Sequence, residues 1–133
     1  MKGIYCLLIN VKKDTRIKVG ALGKILFKKG RYAYVGSAQN SVEKRVARHF
    51  RKRGKKLKWH IDYLLNSRNV GIEKAVYRNA GKEQECMVAC ILSRLEEPVK
   101  GFGCSDCRCL SHLYRLKKLN LTKLGMKNII TNK

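Results

Sequence analysis

Two apolar segments near the start of the chain constrain its fold more than any other feature. The first is GIYCLLI, beginning at residue 3, and the second is YAYVGSAQ, beginning at residue 32. Apolar runs bounded by turn residues predict buried strands over 3–11 and 31–36. Both segments contain tyrosine at positions where valine or isoleucine would serve a core equally well. The purpose of those hydroxyl groups is therefore a question about function.

Turn signals and changes of hydrophobic period divide the rest of the chain into short elements. Further strands are predicted over residues 16–19, 24–27, 72–77 and 112–116. Helical periodicity predicts helices over residues 40–53, 59–67 and 82–95. Strands that are joined mainly by hairpins and mixed with helices indicate an α+β fold, a small and mainly antiparallel sheet flanked by helices.

The first and last predicted helices each have an apolar face that we expect to pack inward. At the start of the first helix, Asn40 suits an N-cap with Glu43 as its reciprocal partner three residues later. The residues expected to face inward from that helix are Val42, Val46, His49 and Phe50. Those expected to face inward from the last helix are Met87, Cys90, Ile91 and Leu95.

The balance of charged residues restricts the partners of such a protein. The 133-residue chain has 31 Lys and Arg against 9 Asp and Glu, a formal net charge of +22. This charge attracts polyanions, so we predict a nucleic-acid partner. We predict no membrane partner, since the longest purely apolar stretch, 4–9, is far too short to span a bilayer. We expect a cytoplasmic protein, nucleoid-associated if DNA is its substrate, whose six cysteines serve as thiols or metal ligands. The oligomeric state is left open.

Several short motifs, in their order along the chain, resemble the GIY-YIG nuclease superfamily. They are GIY at 3–5, YVG at 34–36, Arg45 on the helix after the second motif, and Glu85 on a later helix. The stretches VGALG, YAYVGSAQ, RVARHF, WHIDYLL and GFGCSDCRCLSHL look like the Uri-type branch of that superfamily, whose members are small stand-alone or glycosylase-fused proteins.

The resemblance covers residues 3–116 and implies a division of the chain. We expect a GIY-YIG-like nuclease domain over 1–116 and a basic C-terminal extension over 117–133. Between Tyr5 and Tyr34 lie 28 residues, more than the compact hairpin of the best-studied members allows. An extra hairpin around VGALG, a feature of the branch, would account for the difference.

The resemblance also implies a catalytic role for four residues. Tyr5 and Tyr34 would face each other across adjacent strands and position the attacking water, with one of them as general base. Arg45 would hold the scissile phosphate, and Glu85 would bind a single Mg²⁺ or Mn²⁺. A phenol with an ordinary pKa of about 10 is a poor base at neutral pH, so we expect the nearby cations to lower that pKa. Tyr32, outside the motif, is expected to pack or to contact substrate.

Other polar residues near the motifs permit two interpretations each. His49, four residues after Arg45 on the same helix face, either relays a proton or contacts phosphate, or else is a satisfied packing residue. His60 and Asp62 either help to position water or stabilise a helix start, and we favour the structural role. Trp59 either stacks on a base or covers the core.

Glu83, two residues before Glu85 on the same predicted helix, is the other candidate for the metal-binding carboxylate. Residues two apart on a helix point about 200° apart, so only one of the two can face a site. We choose Glu85, because it precedes Cys86 as in the branch pattern, and we expect Glu83 on the solvent side.

A cysteine-rich segment near the end of the domain offers metal ligands. Its candidate zinc ligands are Cys104, Cys107, Cys109 and His112. Four ligands within nine residues leave little chain to wrap a metal, so we favour buried thiols that close a turn, with Asp106 capping the backbone. We expect Cys6, Cys86 and Cys90 in the core.

These predictions together indicate a metal-dependent endonuclease that hydrolyses phosphodiester bonds. The expected substrate is DNA rather than RNA, cleaved with a preference for structure during repair or processing. The residues expected to bind nucleic-acid phosphates are Lys44, Arg48, Arg51, Lys52, Arg53, Lys55, Lys56 and Lys58. The alternative is a non-catalytic RNA- or DNA-binding protein with the same fold.

Overall fold

The structure, a computed structural model, describes residues 2–52, 56–103, 109, 111–117 and 127–128. Within that part of the chain, three α-helices flank a six-stranded sheet, and a two-stranded hairpin stands apart from it. The strands are β1 (Gly3–Val11), β2 (Thr15–Lys18), β3 (Lys24–Phe27), β4 (Gly30–Ala38), β5 (Val70–Arg78), β6 (Glu97–Pro98), β7 (Leu113–Arg115) and β8 (Lys127–Asn128). The helices are α1 (Val42–Phe50), α2 (His60–Leu65) and α3 (Glu83–Leu95). The predicted α+β class with a mainly antiparallel sheet is confirmed.

Strand β1 lies at the centre of the sheet, which has the order β6-β7-β4-β1-β5-β8. It pairs antiparallel with β4 on one side and with β5 on the other. Both edges of β1 are therefore paired. Its two faces are covered by helices, α1 and α2 on one side and α3 on the other, which explains why its sequence is almost entirely apolar instead of alternating with polar residues. The first apolar run is the strand around which the fold is built.

The two faces of β1 contribute to two separate cores. Tyr5 and Leu7 point to the face covered by α1 and α2, where Val46 and Leu64 pack against them. Ile4, Cys6 and Leu8 point to the opposite face, where they meet Val88, Ala89 and Leu92 of α3. Full burial of one such aliphatic side chain contributes about 1.5–3 kcal/mol. The tyrosine motif thus lies on the face that α1 and α2 cover.

The boundaries of α1 differ from the prediction. The N-cap is Ser41, whose Oγ accepts a hydrogen bond from the backbone N–H of Lys44 at 3.1 Å, so the prediction of Asn40 as N-cap is wrong by one residue. The helix ends at Phe50, before residue 53. Its inward face is as predicted, since Val42, Val46 and His49 are buried and Phe50 packs against the same core.

The predicted inward face of α3 is wrong. Met87, Ile91 and Leu95 are 55%, 43% and 57% exposed, and Cys90 is exposed as well. The sheet is contacted instead by Val88, Ala89 and Leu92. Both sides of this helix carry apolar residues at helical spacing, so periodicity alone does not choose between them.

An additional hairpin does separate the two tyrosine motifs. Strands β2 and β3 pair antiparallel outside the main sheet, and Phe27 and Val19 anchor them to the core on the tyrosine side.

At the other end of the sheet, β8 pairs with β5 through Tyr77 and Lys127. In the described part of the chain, every helix falls short of the length and apolarity that a membrane crossing requires.

Candidate active site

A pocket of about 720 Å³ opens at the carboxyl end of β4. Elements from both sides of the sheet contribute to its walls, including β1, α1, the segment before α2 and the first turn of α3. The described residues that line it are Tyr5, Tyr34, Gly36, Ser37, Ala38, Gln39, Asn40, Ser41, Lys44, Arg45, Arg48, Lys58, Trp59, His60, Lys82, Glu85, Gly103 and His112. Four residues predicted from the motif resemblance, Tyr5, Tyr34, Arg45 and Glu85, are thus brought together.

The ring of Tyr5 crosses over Gly36 on the neighbouring strand. The two residues are register partners between β1 and β4. A Cβ atom at Gly36 would lie only 2.5 Å from both Cζ and the hydroxyl oxygen of Tyr5. Glycine is therefore required at this position by the aromatic ring, which can reach the pocket only if the opposite residue has no side chain.

His49 lies between the two tyrosines. Its Nε2 is 2.7 Å from the Tyr5 hydroxyl in a buried hydrogen bond, and its ring centroid is 6.2 Å from that of Tyr34. Only 2% of His49 is exposed. Its position on the inward face of α1 makes it a packing residue and the hydrogen-bond partner of Tyr5. A role in proton relay or phosphate contact stays a prediction.

Burial controls the acidity of the two phenols. It raises the pKa of Tyr5 well above the ordinary value, although Arg45 acts in the opposite direction. It also raises the pKa of Tyr34, and the neighbouring Tyr5 and Glu85 add to the effect. The expectation that surrounding cations lower these pKa values is therefore wrong for the protein without bound metal. Both phenols are therefore protonated at neutral pH, and the Tyr5 hydroxyl is hydrogen-bonded to Nε2 of His49.

Tyr32 differs from Tyr34 although it lies on the same strand face. It is 2% exposed, and its hydroxyl donates to the carbonyl oxygen of Lys28 at 2.7 Å. Its ring packs edge-on against Phe27 at 6.2 Å. Of the two interpretations of Tyr32, packing matches its position.

Arginine side chains from α1 surround the indole of Trp59. The guanidinium carbon atoms of Arg45 and Arg48 lie 4.5 and 4.4 Å from the ring centroid, and the Lys58 ammonium lies at 5.3 Å. Arg45 also donates to the carbonyl oxygen of Ser37 at 3.3 Å. The indole therefore positions guanidinium groups at the pocket wall, instead of offering an open surface on which a base would stack.

The contacts of Asp62 and His60 match the structural role that we favoured, although His60 also lines the pocket. The buried Asp62 carboxylate accepts two hydrogen bonds from Arg48, at 2.8 and 3.0 Å, and one each from the backbone N–H groups of Lys58 and Trp59. His60 accepts the backbone N–H of Gly103 at Nδ1, 2.8 Å away. These contacts fix the segment that forms one wall of the pocket.

Glu85 reaches the pocket from the first turn of α3, whereas Glu83 is exposed to solvent. Its Oε2 lies 3.5 Å from Nδ1 of His112, and the Ser37 hydroxyl approaches Oε1 at 3.5 Å. The carboxylate is 15% exposed. A single carboxylate at the edge of an open pocket fits Mg²⁺ or Mn²⁺, which keep several water ligands and take the rest from substrate phosphate.

His112 and Lys82 also line the pocket, although the motifs did not identify them as active-site residues. His112 is 3% exposed and is held against Glu85. Its place directly after a cysteine-rich segment suggested only a zinc ligand. Lys82 precedes α3 by one residue, and nothing in its local sequence distinguishes it from the many other lysines.

The residues predicted to bind phosphate occupy different environments. Those that line the pocket are Lys44, Arg48 and Lys58, whereas Arg51 and Lys56 are exposed away from it. Lys52 donates instead to the carbonyl oxygens of Ser67 and Val70, at 3.1 and 2.7 Å, and to that of Leu65. We therefore assign Lys52 to joining the end of α1 to the start of β5. Arg53 and Lys55 lie outside the described residues.

The four cysteines within the described residues separate into three groups. Cys6 is buried in the core, where burial raises the pKa of its thiol to about 12, whereas Cys90 is exposed, contrary to expectation. Cys86, half-buried rather than in the core, lies with Cys109 and His112 in a cluster whose potential ligand atoms are all within 4.8 Å of one another. Cys104, Asp106 and Cys107 lie outside the described residues.

Comparison with known proteins gives a family and no close relative. No curated protein and no solved structure matches the chain. One family matches residues 4–132, a range that includes Tyr5, the YVG motif, Glu85 and the cysteine-rich segment. The chain therefore belongs to the family described as Domain of unknown function DUF123.

Proposed function

We propose that the protein is a divalent-metal-dependent endonuclease related to the GIY-YIG nucleases. The observation that carries the proposal is the convergence of Tyr5, Tyr34, Arg45 and Glu85 on one pocket from four separate elements. A protein that only binds nucleic acid would not need a carboxylate among these cations. A nuclease would need one to hold a metal ion beside the phosphate.

The charge of the pocket supports a phosphodiester substrate. Among its described lining residues, five carry a positive charge and one is a carboxylate, Glu85. The five cations are Lys44, Arg45, Arg48, Lys58 and Lys82. Because the Arg48 charge is balanced by Asp62, Arg45 is the arginine best placed to hold the scissile phosphate through its fork of donors.

The proposed reaction uses Tyr5 and His49 as a proton-transfer pair. As water attacks phosphorus, its proton passes to the Tyr5 oxygen, and the Tyr5 proton passes to Nε2 of His49. The new P–O bond forms while the bond to the leaving oxygen breaks, and that oxygen takes a proton from solvent. Tyr34 orients the water. A divalent ion at Glu85 would supply positive charge to the phosphate oxygens.

The proposed substrate is DNA of particular structure, in the cytoplasm and in a repair or processing reaction. The cationic groups that line the pocket are long side chains that contact phosphates, which position a nucleic acid without reading its sequence. Selection would then depend on whether a distorted or branched backbone enters the pocket. A panel of duplex, junction and flap substrates tests this, and equal cleavage of all of them would contradict it.

One observation favours the alternative, a binding protein without catalysis. Burial raises the pKa of both phenols, so neither is ionised at neutral pH. In that alternative, the tyrosines are core residues and the cations alone bind DNA or RNA.

The experiment that separates the two functions is a plasmid-nicking assay with a matched pair of variants. Glu85→Gln and Glu83→Gln remove the same charge from the same helix, but only Glu85 lines the pocket. We expect wild type and Glu83→Gln to nick supercoiled DNA with Mg²⁺ or Mn²⁺, and Glu85→Gln to bind it without nicking. Equal nicking by wild type and Glu85→Gln would leave only the binding function.

A further inference from the structure

Two thiols and an imidazole meet on the α3 side of the pocket. Cys86 is on α3, Cys109 lies in the segment that leads to β7, and His112 directly precedes β7. Their potential ligand atoms are all within 4.8 Å of one another. At Zn–S and Zn–N bond lengths, a tetrahedral ion holds its ligands about 3.5–3.8 Å apart, so small side-chain adjustments suffice to bind one.

We propose that Cys86, Cys109 and His112 bind a zinc ion. Thiolate and imidazole are ligands that select zinc, whereas Mg²⁺ and Mn²⁺ prefer oxygen. The proposed site is therefore separate in chemistry from a Mg²⁺ or Mn²⁺ ion at Glu85. It rests on the positions of these three side chains and does not depend on the proposed nuclease function.

A zinc site built only from the cysteine-rich segment would leave too little chain between its ligands to surround the ion. A ligand from Cys86 removes this difficulty. Cys109 and His112 are separated by two residues, which is short enough for both to bind one ion. The third ligand comes from a helix on the other side of the ion, so the chain does not have to wrap around the metal within nine residues. The zinc would join α3 to the segment before β7. A fourth position is available to water.

His112 connects the proposed zinc site to the pocket. Its Nδ1 faces Oε2 of Glu85 at 3.5 Å. A zinc-bound histidine commonly directs its second ring nitrogen to a carboxylate, which fixes the ring orientation and the tautomer. Zinc on Nε2 would leave Nδ1 to donate to Glu85. Zinc binding would then hold the Glu85 carboxylate in its position at the pocket edge.

Cobalt binding to the reduced full-length protein tests the proposal. Co²⁺ replaces zinc in thiolate sites and gives a near-ultraviolet thiolate-to-cobalt charge-transfer band. We expect the wild type to bind one equivalent with this band, and an equivalent of zinc to abolish it. Cys86→Ser and Cys109→Ser should each weaken binding at least tenfold. The matched control, Cys90→Ser, changes an exposed thiol on the same helix and should bind as wild type does.

Two further measurements keep the result decisive. Circular dichroism shows whether each serine variant is folded. If neither is folded, the wild type decides, because zinc should raise its Tm and a chelator should lower it. Absence of the charge-transfer band in reduced wild type overturns the proposal, as does unchanged binding in folded Cys86→Ser. Tyr5→Phe alters the proposed nuclease chemistry on the opposite face of the sheet from Cys109, so it should retain cobalt binding. Failure of the zinc site and failure of the nuclease are therefore distinguishable.

Discussion

The Tyr5 hydroxyl and Nε2 of His49 are 2.7 Å apart inside a core from which solvent is almost excluded. The two residues come from β1 and α1, and the glycine on the neighbouring strand provides the space in which they meet. In such surroundings a hydrogen bond is stronger than in water, and burial raises the pKa of the Tyr5 hydroxyl. In the proposed reaction, a bound phosphate and metal ion would therefore be needed to promote proton transfer from Tyr5 to His49.

Replacing Tyr5 by phenylalanine tests this pair directly. Tyr5→Phe retains the ring but removes the hydroxyl that carries the proton to His49, so we expect plasmid nicking to fall about 10²- to 10⁴-fold. Tyr32→Phe is the control, since the Tyr32 hydroxyl donates to the backbone carbonyl of Lys28 and its side chain does not line the pocket. It should lower the free energy of unfolding by about 1 kcal/mol and leave the rate unchanged. Equal rates for Tyr5→Phe and wild type would exclude the proton-transfer role.

A methyl group at Gly36 should displace the Tyr5 ring. The added Cβ would meet Cζ and the hydroxyl oxygen at 2.5 Å, so we expect Gly36→Ala to destabilise the fold by about 1–3 kcal/mol in urea denaturation and to reduce nicking. Gly71→Ala, on β5, is the matched change, because a Cβ there has no heavy atom within 4 Å. If the two variants are equally stable, the close approach at Gly36 does not matter.

Asp62 should make stability depend on acid pH. Burial by itself would raise the pKa of its carboxyl, but hydrogen bonds from Arg48 and from two backbone N–H groups outweigh burial, and the pKa is lowered. The folded protein thus binds this proton less readily than the unfolded chain. The stabilisation is present above the ordinary Asp pKa of about 3.9 and is lost as pH falls through the folded value.

The measurement is the free energy of unfolding in urea at a series of acid pH values, for wild type and Asp62→Asn. Wild type should lose stability steeply over that range, whereas Asp62→Asn should be less stable at neutral pH and show a shallower slope. Asp14→Asn removes the same charge from an exposed residue and should follow wild type. Parallel slopes for Asp62→Asn and wild type would contradict the assignment.

Two lysines should respond differently to alanine substitution. Lys82 lines the pocket, so Lys82→Ala should weaken DNA binding and lower the slope of log affinity against log salt by about 1, with little change in stability. Lys52 binds backbone carbonyls, so Lys52→Ala should destabilise the fold by about 1 kcal/mol. Fluorescence anisotropy and urea denaturation measure the two effects, and an exchange of the two phenotypes would show that the roles are reversed.

Sequence patterns predicted the parts of the fold that have one dominant signal. Strand β1 is apolar except for Asn10 and is flanked by Lys2 and Lys12, so its limits were predicted without error. The inward face of α1 was predictable because charged residues occupy its other sides. Helix α3 has apolar residues on two of its sides, so its sequence pattern did not show which side packs against the sheet. That is determined by how the helix sits on the sheet in three dimensions.

The candidate site was predictable to the extent that motif residues supply it. Tyr5, Tyr34, Arg45 and Glu85 were identified by resemblance, and the pocket contains them all. His112 and Lys82 reach the pocket only because of how α3 and β7 are placed. The pKa of the phenols depends on burial in three dimensions, which the charge count of the chain does not reveal.

The pocket draws its phenols from one side of the sheet and its acid from the other. Their alignment is therefore set by two independent cores, and a substitution that loosens either core changes the separation of the acid from the phenols. Leu64 and Leu92 touch opposite faces and do not line the pocket, yet truncating either one should misalign the same set of groups. Nicking activity should therefore respond to changes in side-chain packing in either core, even when the changed residue lies outside the pocket.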